Sequence, residues 1–121
     1  MATTIQSPVL TSSLKIIKDT DADGTSEAGV TGASTVIYMI HVDNTLNSAA
    51  SYLKLYNAAA PTIGTTAPDI IVMAPAASVK TLYIPEGVTF ATDLSFACVT
   101  TAGTAGTTSP TSDVAVTLVV V

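Results

Sequence analysis

Three acidic residues at alternating positions, Asp19, Asp21 and Asp23, followed by Gly24, form the sharpest short pattern in the chain. Carboxylates at every second position ahead of a glycine are how a calcium loop begins, because each carboxylate offers oxygens and the glycine permits a tight turn. A complete loop also needs a bidentate carboxylate at its twelfth position. Val30 stands there, with Glu27 nearby, and no helical periodicity flanks the stretch. Residues Asp19–Ala33 therefore read as a polar, glycine-containing loop with a solvated acidic turn, and no metal ligand is assigned.

His41 and Cys98 are the only imidazole and thiol. A Cys–His nucleophile requires the two side chains in contact with a third group to orient them. Each of these lies inside an apolar run, where a thiol behaves as a small hydrophobe. One His and one Cys do not complete a closed zinc site either. The remaining acids fall at expected turns or strand ends, and no phosphate-cradling glycine loop, G-x-S-x-G elbow or basic–aromatic pattern occurs. Tyr38, Tyr52, Tyr56 and Tyr83 offer a carbohydrate or protein contact face, against the plainer reading of half-buried strand packing. No catalytic, cofactor-binding or metal residue is assigned, and none of the patterns is that of an enzyme.

The elements that must carry these side chains are short and β-prone. Ser13–Lys18 reads as a strand, Leu14 and Ile16 on one face and Lys15 and Ile17 on the other. Ser34–Val42 is rich in β-branched and aromatic residues, with Val36, Tyr38, Ile40 and Val42 on one face and Ile37, Met39 and His41 on the other. Both faces are mostly apolar, so the strand is expected in the interior of a sheet. Asp43–Ala50 reads as a loop. In Tyr52–Tyr56 the alternation of Tyr52, Lys54 and Tyr56 with Leu53 and Leu55 predicts a half-buried strand. Asp69–Ala74 and Ser78–Ile84 are expected to pair across Pro75–Ala77. The Pro85-Glu86-Gly87 turn then separates Ser78–Ile84 from Val88–Phe90, since Pro removes a backbone donor and Gly reaches positive φ without steric cost. Leu94–Thr100, a small-residue loop over Thr101–Ser112, and Asp113–Val121 complete the pattern. About eight short strands without helical periodicity predict an all-β, antiparallel β-sandwich of jelly-roll-like kind. Residues 1–13, rich in Thr and Ser and interrupted by Pro8, read as an N-terminal arm or edge strand, and 14–121 as a single domain.

Composition narrows the partners. The 121 residues are 48% hydrophobic but only 11% charged, against about 25% charged in an average soluble protein. There is no arginine; the cations are Lys15, Lys18, Lys54 and Lys80, and the net charge is −5. Nucleic acid and anionic membrane surfaces are excluded as expected partners, because both are bound through clustered Lys and Arg. Mean hydropathy is +0.55, yet no apolar run approaches the ~18 residues of a membrane span. The opening MATTIQSPVLTSSLK lacks the basic and apolar regions of a signal peptide. Together with the single Cys98, this predicts synthesis in a reducing compartment. A surface this poor in charge is expected either to be neutral Thr/Ser or to be covered by neighbouring subunits.

The turn-and-strand punctuation of the middle of the chain carries a resemblance. Leu53-Lys54-Leu55-Tyr56-Asn57, then Pro61-Thr62-Ile63-Gly64-Thr65-Thr66-Ala67-Pro68, Ile84-Pro85, Gly87-Val88-Thr89-Phe90 and Leu94-Ser95-Phe96-Ala97 follow in order, ahead of a Gly/Thr/Ala-rich loop and a closing apolar strand. This pattern, over about residues 34–121, resembles the small β-sandwich virion structural proteins of tailed bacteriophages, of the capsid decoration or cement type. Two features depart from it: Asp93, where a Gly is frequent, and the acidic loop Asp19–Gly24. The resemblance implies a non-enzymatic protein on the capsid surface, made in the host cytoplasm. Its implied partners are the major capsid protein and its own copies, as a homotrimer. Residues 1–13 and 113–121 are the expected inter-subunit contacts. The alternatives are a tail, neck or head-fibre structural protein, and a carbohydrate- or calcium-binding adhesion module.

Overall fold

The structure is a computed structural model that describes residues 3–6 and 13–121. It contains eight strands: β1 (Thr3–Gln6), β2 (Lys15–Ala22), β3 (Thr35–Asp43), β4 (Ser51–Tyr56), β5 (Ile70–Ala74), β6 (Val79–Phe90), β7 (Ser95–Val99) and β8 (Val114–Val120). They form a five-stranded sheet in the order β1-β2-β8-β3-β6 and a three-stranded sheet in the order β5-β4-β7. Every pairing is antiparallel. One apolar core lies between the sheets, with Ile17, Ile37, Ile40, Val42, Val114, Val116, Leu118 and Val120 from the larger and Leu53, Leu55, Val72, Phe96 and Cys98 from the smaller. The molecule is an all-β antiparallel sandwich. β3 is an interior strand, as its two apolar faces predict. β8 shows the plainest alternation, burying Val114, Val116, Leu118 and Val120 while the residues between them stay half-buried.

Several local expectations are corrected by how the chain crosses between sheets. β2 does not stop at Lys18 but runs to Ala22, so Asp19 lies within a strand and is buried. The chain then leaves the larger sheet and runs beside β7. Glu27 and Phe96 exchange backbone hydrogen bonds at 2.8 and 3.1 Å, and Asp23 and Leu94 carbonyls accept from Cys98 and Val30. Residues 23–30 thus close the β7 edge. β5 and β6 do not pair with each other: the Pro75–Ser78 connection carries the chain from one sheet to the other, β5 onto β4 and β6 onto β3.

The Pro85-Glu86-Gly87 segment is not a turn between strands but a bulge inside one. Tyr83 lies opposite Met39 and Val88 opposite Ile37, so four residues of β6 face Tyr38 alone. Inserted residues of this kind re-aim the side chains that follow them. Gly87 sits at φ 75°, and a Cβ there would collide with Val36 and Tyr38. Between β3 and β8 the slip falls on β3 instead: Ile37 pairs with Val120 and Met39 with Val119, so Tyr38 is the extra residue. It reverses the facing of β3 midway: Ile37 and Ile40 both point into the core, with Val36, Met39 and His41 half-buried. The strict alternation read from Ser34–Val42 therefore holds only on either side of Tyr38.

β4 is the other departure. Only Tyr52 is half-buried; Leu53, Lys54, Leu55 and Tyr56 have no solvent exposure. The outer face of this strand is covered by the loop after β7, whose Gly103 carbonyl accepts a hydrogen bond from Lys54 Nζ.

Candidate functional site

The side chains with chemical potential divide into an acidic corner, isolated nucleophile and base, two buried polar anchors, and exposed apolar edges. The corner is where β2 leaves the larger sheet. Asp19 is 1% exposed. Its Oδ1 accepts from the Asp21 N–H at 3.1 Å, and its Oδ2 is buried with no hydrogen-bond partner. Burial pushes its pKa up to about 6, and the negative charges of Glu27 and Asp21 push the same way, against the Asp21 N–H. Asp23 Oδ1 is used locally, accepting from Thr25 N–H at 2.8 Å. Among the described residues no three His, Cys, Asp or Glu side chains converge as a metal cluster. Gly24, the last member of the calcium-like pattern, has a packing reason instead: a Cβ there would lie 2.5 Å from the Thr107 carbonyl oxygen. Its N–H donates to Ser109 Oγ at 3.0 Å.

His41 and Cys98 are not brought together. His41 lies on β3 in the larger sheet, its Nδ1 2.7 Å from Thr81 Oγ1 of β6. Cys98 lies on β7 in the smaller sheet, buried and free. Burial, and the neighbouring Asp19 and Asp23, push the Cys98 thiol up to about 12, so it stays protonated at neutral pH. The four tyrosines do not share a face. Tyr38 and Tyr83 belong to β3 and β6, Tyr52 and Tyr56 to β4 in the other sheet. Tyr56 is buried with its hydroxyl unpartnered, and burial raises its pKa. Burial also lowers the pKa of Lys54.

The two polar anchors were not legible as such in the sequence. Asn44 is fully buried. Its Nδ2 donates to the carbonyls of Ala49, Ala74 and Pro75, and its Oδ1 accepts from Asn47 Nδ2 and Ser51 Oγ. Asn47 in turn bonds both the carbonyl and the N–H of Ser112. Asn44 and Asn47 together thus tie the loop after β3 to the loops before β6 and β8. Asp93, 5% exposed, does the same for the 31–33 loop, its Oδ1 accepting from Thr31 Oγ1 and from the N–H groups of Gly32 and Leu94 at 2.8–3.0 Å. A run of Asp, Asn and Ser signals turn chemistry in a sequence, but only the fold reveals which of them is buried.

The exposed apolar side chains are concentrated. Of the eight large ones among the described residues, Ile71 and Met73 belong to β5 and Val79, Leu82 and Tyr83 to β6. Both are edge strands, on the same side of the sandwich, and they approach each other across the gap between the sheets. Tyr83 is 71% exposed. From it an apolar row crosses the outer face of the larger sheet through Met39 and Val119 to Ile16. Beside this row lies a shallow depression of about 560 Å³ lined by Ser13, Leu14, Tyr38, Val119 and Val121. A more polar depression of about 290 Å³ is lined by Thr20, Asp43, Thr45, Leu46, Asp113 and Ala115. There the Thr45 hydroxyl and N–H hold the Asp43 carboxylate below its usual pKa.

Of the expected inter-subunit contacts, Thr3–Gln6 forms the edge strand β1 on β2, and Val114–Val120 forms the interior strand β8. The rest of the arm, including Pro8, lies outside the described residues. Comparison with protein-family models, with curated proteins and with solved structures finds no match to this chain.

Proposed function

We propose that this chain is a non-enzymatic structural protein of a tailed-phage virion, a capsid decoration or cement protein that binds the assembled head and stabilises it. The observation that carries the reading is the concentration of exposed apolar side chains, Ile71, Met73, Val79, Leu82 and Tyr83, on two adjacent open-edge strands. Ile71 and Met73 flank the β5 edge on the outer face of the smaller sheet, and Val79 and Tyr83 flank the β6 edge on the outer face of the larger; an open edge adds backbone groups ready to pair. The sequence pattern over residues 34–121 supports the same reading, as does a surface poor in charge. The passage of the chain back and forth between the sheets, with residues 23–30 beside β7, supports the jelly-roll-like form of the sandwich.

In this role the protein works by area. Each Å² of apolar surface covered contributes about 25 cal/mol, and a specific interface covers roughly 1,600 Å² in total. A protein that binds the closed shell and not its dissociated subunits raises shell stability by mass action. The partners are the major capsid protein and sister copies, as a homotrimer.

Cryo-electron microscopy of the particle tests the proposal: density for this sandwich on the outer shell is the expected result. Its absence from the shell, or its presence only in the tail or neck, overturns the capsid role. Native mass spectrometry is expected to give a trimer. Calcium titration by calorimetry and a glycan array are expected to be silent; binding in either favours an adhesion module.

A further inference from the structure

Among the described residues no strand packs on the outer face of the larger sheet. Register sets Tyr83, Met39, Val119 and Ile16 side by side across that face, on β6, β3, β8 and β2. Unlike the side chains of the two open edges, these four are neighbours on one surface. Met39, Val119 and Ile16 are half-buried, and the Tyr83 ring stands out at 71% exposure. The hollow lined by Leu14, Tyr38, Val119 and Val121 lies beside the far half of the row. A projecting ring and an apolar hollow at opposite ends of one flat row fit each other between two copies, not within one.

We propose that this face pairs with the same face of a second copy, across a two-fold axis that runs parallel to the strands between β3 and β8. A two-fold contact lays one patch against itself. Sheets packed face to face lie about 10 Å apart, with strand directions within about 30° of each other. About this axis the row closes on itself: Met39 meets the second copy's Val119, and Tyr83 meets its Ile16 and the hollow alongside.

Charge selects this occupant. Two chains of net charge −5 repel each other wherever acid faces acid, and the row carries no charge. Along the rest of the face the same axis sets Lys18 over Thr81, His41 over Thr117 and Asp43 over Ala115. No acid opposes an acid. The second copy's Lys18 comes one strand over and two residues along from Asp43, within reach of its long side chain. Four strands at about 4.8 Å and seven residues at about 3.3 Å cover roughly 900 Å² in the two copies together, near the ~1,000 Å² floor of specific interfaces. The pairing is therefore reversible. It doubles whatever unit the protein otherwise forms, a trimer included, and because it covers Tyr83 it belongs to the free protein and not to the shell-bound one.

Sedimentation and isotope-filtered NMR on the full chain test the pairing. Particle mass is expected to double as concentration rises from micromolar to millimolar. In a mixture of labelled and unlabelled chains, the Tyr83 ring is expected to show NOEs to the Ile16 methyls of another copy. Within one copy the two residues are three strands apart, about 14 Å, so the signal arises only between copies, and it needs no variant. V119K, which places an ammonium in each half of the contact, is expected to weaken the doubling at least about tenfold. M73K, on the outer face of the smaller sheet, is expected to leave it unchanged. A mass that never doubles, or NOEs from Val9 or Leu10 to Val119 within one chain, overturns the proposal. So does loss of shell co-sedimentation in V119K when wild type shows no doubling, which would make the shell the occupant of this face.

Discussion

Asn44 and Asp19 are both polar side chains removed from water at the border of the same core, and they are treated oppositely. Asn44 uses its amide nitrogen on three carbonyls and its oxygen on two donors. Asp19 has one oxygen satisfied by a backbone N–H and the other stranded, with acidic neighbours. A satisfied buried network rigidifies, and a partly satisfied one carries a cost that depends on protonation. Burial alone does not tell a structural polar group from a responsive one. The count of its partners does.

The largest effect that would break this contrast is at Asn44. Asn44→Ala strands the Ala49, Ala74 and Pro75 carbonyls and the Asn47 and Ser51 donors, and is expected to cost about 3 kcal/mol or more, read as a lowered urea midpoint. A cost below about 1 kcal/mol would mean water replaces the network freely. Asp93→Ala, with three close donors released, is expected to cost about 2 kcal/mol, together with faster proteolysis in the 29–33 loop.

Asp19→Asn is expected to act in the opposite direction. Because the folded pKa is raised above the unfolded one, the stability the proton provides is complete below about pH 3.8 and is lost as pH rises through about 6. Wild type should therefore lose stability across that window, by at most about 3 kcal/mol from this group. Asp19→Asn should flatten that dependence and gain about 1–2 kcal/mol at pH 7.5, measured by denaturation at both ends. The smallest change in stability is expected at Tyr83→Ser, within about 0.5 kcal/mol, because the ring is 71% exposed. Its effect should appear instead as weaker association with purified shells in a co-sedimentation assay, so that partner binding and folding separate at one residue.

The strands were legible because each is short, β-branched and bounded by Pro, Gly or Asx residues, as at Ser51–Tyr56 and Val114–Val120. The errors share a cause. Lys54 read as solvent-facing because alternation assumes an open outer face, and only the loop carrying Gly103 covers it. Pro85-Glu86-Gly87 read as a turn because a bulge uses the same residues as a turn, and only the register with Tyr38 distinguishes them. Asp19 read as loop because an acidic run signals solvent, whereas β1 and residues 23–30 close over it.

What the amino-acid order determined by itself was the all-β class, the approximate strand positions, the low charge and the separate character of His41 and Cys98 as parts of apolar runs. These follow from local propensity and side-chain period, which act over a few residues. Only the tertiary structure decided which strands share a sheet, which polar residues lie buried, and where apolar side chains remain uncovered. Those depend on contacts between residues far apart in the chain, such as Asn47 with Ser112 and Thr31 with Asp93. No local pattern encodes such pairs.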